Sequence, residues 1–403
     1  MNKEFFVSTF REWRLYIETF LKWLVIASLI GGAGGLIGAI FHHSIDMAEV
    51  FRSTHPWLLW LLPIAGLLIV GFYKMTRTEG LNTNHVIRAV HKGKRLSVLL
   101  MPAIFFATVL TQLCGGSAGR EGAALQMGGT IGQWIGRGLY LDDSDLRIAT
   151  LAGMAAFFSA LFGTPLAAAV FAVMVISIGI LYHVALVPCL IASLSAYFLA
   201  GALGVQPVRF EVEVPEASAL TFFQVGFLGI LCALVSIFFC MMMHGAEKGM
   251  RKILPNAWLR VLAGAGIIIV LTYLCGTNDY NGVGMGVIAA AIEEGKAEPL
   301  AFLLKLVFTS VTLAAGFKGG EIVPSFFVGA AFGCVIAPII GLPAGFGAAV
   351  GLVSVFCGVT NCPISSVFLS IEIFGAEGML YFAVACCISY MMSGYRGIYS
   401  SQM

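Results

Sequence analysis

Long apolar runs separated by short polar segments occupy almost the whole chain. A membrane crossing by an α-helix takes about 20 apolar residues, and several of the runs are shorter than this or are interrupted by glycine and proline. We therefore predict an all-α polytopic membrane protein with broken and tilted helices. The apolar runs cover residues 23–41, 57–75, 97–115, 147–175, 176–206, 220–244, 257–276, 298–316, 325–352, 353–374 and 378–393.

The balance of apolar and charged residues also indicates a membrane protein. Of the 403 residues, 59% are hydrophobic and 11% are charged, and the mean hydropathy is +0.94. A soluble domain carries about 25% charged residues. The net charge of +2 is too small to indicate a nucleic-acid partner. The ten cysteines contain no C-x-x-C pair, which predicts small apolar fillers rather than disulfides or a metal site.

The polar segments predict the orientation of the chain in the membrane. Residues 1–22 are mixed in charge and precede the first apolar run, which predicts an amphipathic cytoplasmic helix. Positive residues collect on the cytoplasmic side, and six lie between the second and third runs: Lys74, Arg77, Arg88, Lys92, Lys94 and Arg95. Both signals place the N-terminus in the cytoplasm. We expect a multi-pass protein of the cell membrane, the inner membrane in a bacterium, with no soluble domain after the last run.

The most informative motif is a charged pair inside the glycine-rich segment Gly115–Gly122. Arg120 and Glu121 lie there between long apolar runs. Inserting an ionisable side chain at membrane depth costs roughly 2.5–3.5 kcal/mol of free energy, so such a residue normally faces a cavity, a partner or a conduction path. Four glycines in eight residues weaken a helix interior and predict a break between two helices. Free backbone N–H groups at the start of the second helix would bind an anion without a fixed positive charge.

The chain contains a weak internal repeat. Residues 115–132 resemble residues 319–333, and residues 164–171 resemble residues 362–368, in the same order. Two halves with broken apolar segments at matching positions are typical of an internal-repeat transporter with its substrate site near the midplane of the membrane. Chance similarity between glycine-rich membrane segments is the alternative. We divide the chain into a first membrane repeat at 23–206 and a second at 207–403.

These motifs are similar to those of the CLC family of chloride channels and anion/proton antiporters. Gly119–Gly122, followed by Gln126 and Gly128, resembles the family signature G-R-E-G-x-x-x-Q-x-G. Residues 80–90 and 319–324 occupy the places of two further anion loops, and the resemblance covers nearly the whole chain in order.

The resemblance implies a fold and a mechanism. We expect a homodimer of two inverted-repeat subunits, each with its own anion pathway. Glu121 would occupy an anion site when it is ionised and swing away when it is protonated, which is also what a lone carboxylate at membrane depth suggests. The segment 396–400 resembles the one that carries the family's pore-facing tyrosine, here Tyr399.

The first anion loop differs from that of chloride-selective relatives, which have a serine at its centre. Thr83 falls at this position when the alignment is counted back from Val90, and a slip of one residue would place Asn82 or Asn84 there instead. All three side chains can donate a hydrogen bond to an anion. Such uncharged donors would suit a smaller halide than chloride. Fluoride is small and strongly hydrated, so we expect a fluoride site to need many closely spaced hydrogen-bond donors of this kind.

The second anion loop and the internal proton path also differ. Ile322 replaces the usual phenylalanine, a second carboxylate appears at Glu321, and Val175 stands where chloride/proton exchangers have an internal glutamate. This combination resembles the fluoride-exporting branch of the family. We expect Glu321 to share a low-dielectric site with Glu121. Because Val175 cannot carry a proton, Glu321 is the candidate either for the internal proton relay or for the residue that keeps exchange strictly coupled. The alternative is a structural carboxylate paired with Lys318.

The candidate site therefore has two parts. Glu121 and Glu321 form the gating and proton-carrying part. The side chain of Arg120 is expected to anchor its loop rather than to hold the ion, because a permanent charge would trap an anion. The anion-binding part comprises Asn82, Thr83, Asn84, Gly119, Arg120, Gly122, Ile322, Val323 and Tyr399.

Three other features have structural explanations. His42 and His43 lack further metal ligands nearby, so we predict a surface pair rather than a metal site. Lys305 lies inside an apolar run and must be paired or line water. Glu372 is predicted to cap or pair near a helix end.

The favoured function is a proton-coupled antiporter that exports fluoride. The alternatives are a chloride/proton exchanger or a passive chloride channel of the same fold. An intramembrane enzyme is disfavoured because no Ser/His pair, His-Glu-x-x-His or paired Asp motif lies in the apolar runs. We expect no catalytic residues and no cofactor. The expected partners are a halide anion, protons, membrane lipid and a second copy of the chain.

Overall fold

The chain folds into sixteen α-helices within residues 3–402, the part that the computed structural model describes, with the side chains of residues 3–12 left aside. Met1, Asn2 and Met403, which belong to the predicted terminal segments, lie outside this range. The first eight helices are α1 (Lys3–Thr54), α2 (Leu62–Met75), α3 (Thr83–Lys92), α4 (Leu100–Leu113), α5 (Glu121–Gly138), α6 (Asp143–Phe162), α7 (Pro165–Met174) and α8 (Leu186–Ala202).

The second eight helices follow the same order of long and short elements. They are α9 (Ala219–Ile253), α10 (Ala257–Cys275), α11 (Met285–Glu293), α12 (Ala301–Ala315), α13 (Ile322–Ile336), α14 (Ala344–Thr360), α15 (Pro363–Phe374) and α16 (Met379–Ser393). Short 3-10 helices occupy residues 56–61, 183–185 and 337–340. The boundary predicted at residue 206 falls in the non-helical segment between α8 and α9.

The helices are those of a multi-pass membrane protein. Seven helical stretches in the described residues are long and apolar enough to cross a bilayer, and six shorter helices are also apolar. With ten residues, α7 is about 15 Å long, half the roughly 30 Å of a hydrocarbon core. A helix of this length is too short to cross the hydrocarbon core alone, as expected from the broken apolar runs.

Glycine allows the helices that follow the two glycine loops to pack closely on their neighbours. In the first half, a Cβ atom at Gly132 of α5 would overlap the carbonyl oxygen of Ala149 in α6. In the second half, a Cβ atom at Gly333 of α13 would overlap the carbonyl oxygen of Gly347 in α14. The same backbone-to-backbone contact therefore occurs at matching places in both halves.

The helices of the structure differ from the predicted elements in three places. The helix predicted for residues 1–22 is not a separate element, because α1 continues without a break through Trp23 to Thr54. The run 147–175 holds two helices, since Gly163 adopts a positive φ of 69° and Pro165 starts a new helix. The helix α5 was not predicted as a span because its glycines and polar residues lower its hydropathy, although most of it is buried.

Candidate functional site

The two glycine-rich loops of the repeats meet in the interior of the protein. Gly119 and Gly320 form an isolated antiparallel bridge in which each N–H donates to the carbonyl oxygen of the other at 2.7 Å. Directly after this bridge, α5 begins at Glu121 and α13 begins at Ile322. The bridge therefore places the N-termini of two helices side by side, as the internal repeat predicted, and helix N-termini attract anions.

The carboxylate of Glu121 occupies the space between these two helix starts. Its Oε2 accepts a hydrogen bond of 3.2 Å from the N–H of Val323, in the first turn of α13. A Cβ atom at Gly119 would overlap the same oxygen, and one at Gly320 would lie 2.9 Å from it, so glycine is needed at both positions. The side chain is fully buried, and Oε1 has no hydrogen-bond partner among the described residues.

The predicted first loop approaches the start of α5 through Thr83. The hydroxyl of Thr83 donates to the carbonyl oxygen of Gly122 at 3.3 Å and accepts from Nε2 of Gln126 at 3.4 Å. Asn82, in contrast, is exposed and caps α3 by accepting from the N–H of His85. Among the three residues left open by the sequence, Thr83 is the one that contacts the loop of Glu121.

A cavity of about 480 Å³ reaches this region from the side on which Thr83 lies. Tyr399 lines it with a buried hydroxyl that has no partner in the described residues. The segment around Tyr399 is fixed by its backbone: Ile398 N–H donates to the carbonyl oxygen of Val359 at 2.9 Å, and Ser401 N–H donates to Oδ1 of Asn84 at 3.0 Å. Asn84 therefore positions the tyrosine segment in addition to lining the cavity.

Glu321 lines the same cavity and precedes the first residue of α13. Glu321 shares the lining of this cavity with the carboxylate of Glu247. It forms no ion pair with Lys318 in the described residues; the ammonium of Lys318 lies 4.5 Å from the ring centre of Tyr73 instead. The ion-pair explanation for Glu321 was therefore wrong.

Arg120 points its guanidinium away from the cavity and toward α1. Nη1 lies 2.8 Å from Nδ1 of His42 and 3.3 Å from Oδ1 of Asp46, and Nη2 donates to the carbonyl oxygen of Leu161 at 3.5 Å. These are anchoring contacts of the kind that the sequence suggested. The contacts with α1 were missed, because they join residues more than seventy positions apart.

The remaining predicted residues lie in the walls of the site. Gly122 packs with its Cα on Gly319 and Gly320, and Ile322 and Val323 are fully buried in the first turn of α13. Val175, the residue that follows the last residue of α7, is also fully buried and apolar.

Two further predictions concern residues outside the cavity. Lys305 is fully buried, and its ammonium donates to the carbonyl oxygens of Gly282 at 2.7 Å and Tyr280 at 3.2 Å, so it is paired as expected. The prediction of a surface histidine pair is right for His43, which is exposed, and wrong for His42, which contacts Arg120. In the described residues no group of three or more His, Cys, Asp or Glu could hold a metal ion.

Two joined half-repeats, broken helices and a buried carboxylate between helix starts define an ion-transport protein of the membrane. The model of the family described as voltage gated chloride channel matches residues 65–394. The chain belongs to this family, the CLC family of anion channels and transporters.

Relatives with assigned names cover nearly the whole chain. A protein of Pseudomonas syringae pv. tomato named chloride/fluoride channel protein is 36% identical over 391 residues, which are 94% of this chain and 86% of the relative. A protein of Vibrio campbellii named H(+)/Cl(-) exchange transporter is 24% identical over 393 residues, 87% of this chain and 81% of the relative.

Solved structures show the same fold. The crystal structure of a CLC-type fluoride/proton antiporter superposes with a TM-score of 0.91 at 30% identity and covers 95% of this chain and 98% of the other. A slow cyanobacterial Cl-/H+ antiporter superposes with a TM-score of 0.82 at 20% identity and covers 94% of this chain and 96% of the other. The protein thus has the inverted-repeat fold of CLC antiporters.

Proposed function

We propose that this protein exports fluoride in exchange for protons, with Glu121 as the gate. The observation that carries the proposal is the carboxylate of Glu121, which lies at the start of α13 and accepts from Val323 N–H. An anion would bind at the same place, because a helix N-terminus offers unpaired N–H donors and a favourable dipole. Carboxylate and anion therefore compete for one site.

Protonation decides this competition. An ionised carboxylate holds the N–H groups, whereas a protonated one is neutral and loses most of its attraction to the helix start. The anion can then enter, and the carboxyl group returns only after it has lost the proton. Each passage of an anion is in this way linked to the gain and loss of a proton at Glu121.

Three observations support fluoride as the anion. Thr83, rather than serine, contacts the start of α5. In the described residues, the cavity-lining side chains with an unpartnered polar atom are the uncharged Tyr73, Gln126 and Tyr399 and the cationic Arg260. Glu321 supplies a second carboxylate beside the site. A relative at 36% identity and a structure at 30% identity carry names that include fluoride.

Ion flux from liposomes tests the proposal. Purified protein would be reconstituted, and efflux followed with fluoride and chloride electrodes beside a pH dye. We expect fluoride efflux to drive proton uptake and to exceed chloride efflux by at least about tenfold, which corresponds to about 1.4 kcal/mol. Glu121→Gln should abolish proton movement, while Glu377→Gln, at an exposed position, should leave it intact.

The other outcomes identify the alternatives. Equal initial rates for the two ions would indicate a chloride/proton exchanger. Anion efflux without proton movement would indicate a passive channel, which the name of the Pseudomonas relative also suggests. Proton coupling that persists in Glu121→Gln would show that Glu121 is not the gate.

We also propose that the protein is a homodimer in the inner membrane of a bacterium, with its N-terminus in the cytoplasm. Short helices with exposed apolar residues support a dimer: Leu166 of α7 is 43% exposed and Ile364 of α15 is 49% exposed. Helices of this length match a bilayer poorly when lipid alone surrounds them. Mass measurement by light scattering in detergent should give twice the chain mass of 42.9 kDa after subtraction of the detergent.

A further inference from the structure

Three side chains outside the anion pathway form a closed set of contacts beside the loop of Glu121. Nη1 of Arg120 lies 2.8 Å from Nδ1 of His42 and 3.3 Å from Oδ1 of Asp46. Nε2 of His42 in turn lies 2.9 Å from Oδ2 of Asp46. We refer to Arg120, His42 and Asp46 as the anchor triad. Arg120 directly precedes Glu121, so the triad fixes the backbone from which the gate extends.

The geometry determines the protonation form of His42. A guanidinium has donors only, so Nδ1 of His42 must accept, and the ring proton must lie on Nε2, where it donates to Asp46. His42 is therefore neutral in this arrangement, with its tautomer set by its two partners. A second proton would have to bind at Nδ1, where it would face the N–H of Arg120 and add a like charge.

We propose that His42 and Asp46 are positioning residues of the gate, and that a second proton on His42 releases Arg120 and loosens the backbone that holds Glu121 closed. The inference rests on the proposed function of Glu121. It adds a site, at His42, where protonation changes the rate of transport although the side chain does not contact the anion. Protonation of His42 and its hydrogen bond with Arg120 exclude each other, because both use Nδ1.

Few other charged groups surround His42 in the described residues. On α1 itself, the neighbours are Asp46 and His43, and the ring of His43 bonds the carbonyl oxygen of Leu203. Glu49, one turn further along, accepts from the N–H of Val283. Asp46 is thus the acidic group in contact with the His42 ring.

The helices packed against α1 contribute no further charge here. The helices α4 and α8 contain no charged residue. The charges of α6 lie in its first turns, at the end where Asp145 pairs with Lys22. The charges of α5 are Glu121 itself and Arg137 in its last turn. Arg120 is therefore the cation that a second proton on His42 would meet.

Because charged side chains avoid lipid, we expect water to reach the triad where its side chains are exposed. The side chain of Asp46 is 47% exposed, and that of His42 is 12% exposed. Both lie in the second half of α1, whereas Lys22, in the first half, pairs with Asp145 at the start of α6. The triad therefore senses the pH on the side opposite to the start of α1.

The test is the pH dependence of fluoride efflux from liposomes at equal pH on both sides. In the wild type, we expect efflux to rise on acidification with a steepness of more than one proton, because the inference requires one proton on Glu121 and a second proton on the ring of His42. His42→Asn keeps an acceptor for Arg120 but takes up no proton. The pH profile of fluoride efflux for this variant, scaled to its own maximum, should therefore approach a steepness of one proton. His43→Asn is the matched control and should keep the wild-type profile.

A second variant covers the case in which His42→Asn does not fold. Asp46→Asn keeps the shape of the triad and removes the charge that favours a second proton on His42, so the rise in efflux should move to lower pH. Elution from a size-exclusion column checks the folding of each variant. A His42→Asn or Asp46→Asn profile that superposes on the wild type, or a His43→Asn profile that changes equally, would overturn the inference.

Glu121→Gln separates this inference from the proposed function. If Glu121→Gln loses proton coupling and the triad variants keep the wild-type profile, the positioning role alone is wrong. If Glu121→Gln keeps proton coupling, the gate itself is wrong. When both are right, adding His42→Asn to Glu121→Gln changes the pH profile no further.

Discussion

At the scale of single residues, some polar atoms around the gate are paired and others are not. The atoms without a partner in the described residues include Oε1 of Glu121, Oε1 of Gln126, Nε of Arg120 and the hydroxyl of Tyr399. Buried polar groups without partners are uncommon in folded proteins and call for an explanation such as an ion or water. Gln126 and Tyr399 line the cavity, so their unpaired atoms indicate where an ion or a water molecule would find contacts.

Thr83 offers the sharpest test of ion selectivity. Its hydroxyl is held by Gly122 and Gln126, and its methyl group limits rotation about the side chain. Thr83→Ser removes the methyl group and frees the hydroxyl, so we expect the ratio of fluoride to chloride efflux to fall by about threefold or more, about 0.7 kcal/mol. Thr130→Ser is the control, because Thr130 is also buried and bonds a backbone carbonyl. An unchanged ratio in Thr83→Ser would argue against a contact between Thr83 and the ion.

Glu321 is expected to carry protons between the cavity and Glu121. It lines the cavity and forms no ion pair with Lys318 in the described residues, since the ammonium of Lys318 lies over the ring of Tyr73. Glu321→Gln should reduce or uncouple proton movement in the liposome assay while the protein elutes as the folded species. Glu213→Gln, at an exposed position, should behave as the wild type. If Glu321→Gln exchanges at the wild-type ratio and rate, Glu321 is structural and water is the proton path.

At the scale of helices, the short α7 depends on a partner from the other half. Oε1 and Oε2 of Glu372 accept from the N–H groups of Leu166 and Ala167, each at 2.9 Å, so the predicted cap is confirmed. Hydrogen bonds to charged groups contribute about 1.5–3 kcal/mol each. Glu372→Gln leaves one acceptor and no charge, so we expect a lower melting temperature in a fluorescence assay. Glu377→Gln, on an exposed position of the same region, should melt as the wild type does.

The close contact between α5 and α6 gives a second prediction about helices. A methyl group at Gly132 would overlap the backbone of Ala149, whereas one at Gly138 of the same helix would meet no atom within 4 Å. Gly132→Ala should therefore express poorly or melt at a lower temperature. Gly138→Ala should be neutral or slightly stabilising, because alanine favours helix. Equal melting temperatures would show that α5 and α6 can move apart without cost.

The sequence predicted helices better than it predicted their ends. Long apolar runs identified most membrane helices, because burial in lipid demands the same residue types throughout. Breaks such as Gly163 to Pro165 were missed within an apolar run, since hydropathy does not register backbone conformation. The helix α5 was missed for the opposite reason, because protein rather than lipid surrounds it and small or polar residues are tolerated there.

The candidate site was predictable to the extent that its residues lie in local motifs. The loops containing Thr83, Glu121 and Glu321 were identified from their own sequences. The contact of Arg120 with His42 was not, because no local pattern relates residues on separate helices. Asn82 was included for its chemistry and lines the cavity. It also caps α3, a role that its position before the helix could have suggested.

At the scale of the whole molecule, the two halves run in opposite directions across the membrane. Nε2 of His43, in the second half of α1, lies 3.0 Å from the carbonyl oxygen of Leu203. The segment that leads to α9 therefore starts beside the later part of α1. The 35 residues of α9 span about 52 Å, and Arg251 in its last turn lines the cavity beside Thr83. The helix α1 thus begins on the side where α9 ends.

This arrangement predicts which loops face the cytoplasm. The last turn of α9 and the start of α10 carry Arg251, Lys252 and Arg260, and the loop before α3 and its surroundings are also basic. The segment 203–218, in contrast, contains three glutamates and one arginine. Because positive residues collect in the cytoplasm, Lys252 should lie inside and Glu213 outside. Both side chains are exposed and can be labelled.

Cysteine labelling tests this topology in a bacterium that expresses the protein. Cys387, the exposed native cysteine in the described residues, would first be replaced by serine to lower the background. A membrane-impermeant maleimide should then label Glu213→Cys in intact cells, and Lys252→Cys only after the cells are permeabilised. The physical reason is that α9 crosses the membrane once between the two positions. Labelling of both positions in intact cells would contradict a single crossing, and the reverse pattern would place the N-terminus and the cavity beside Thr83 on the outside.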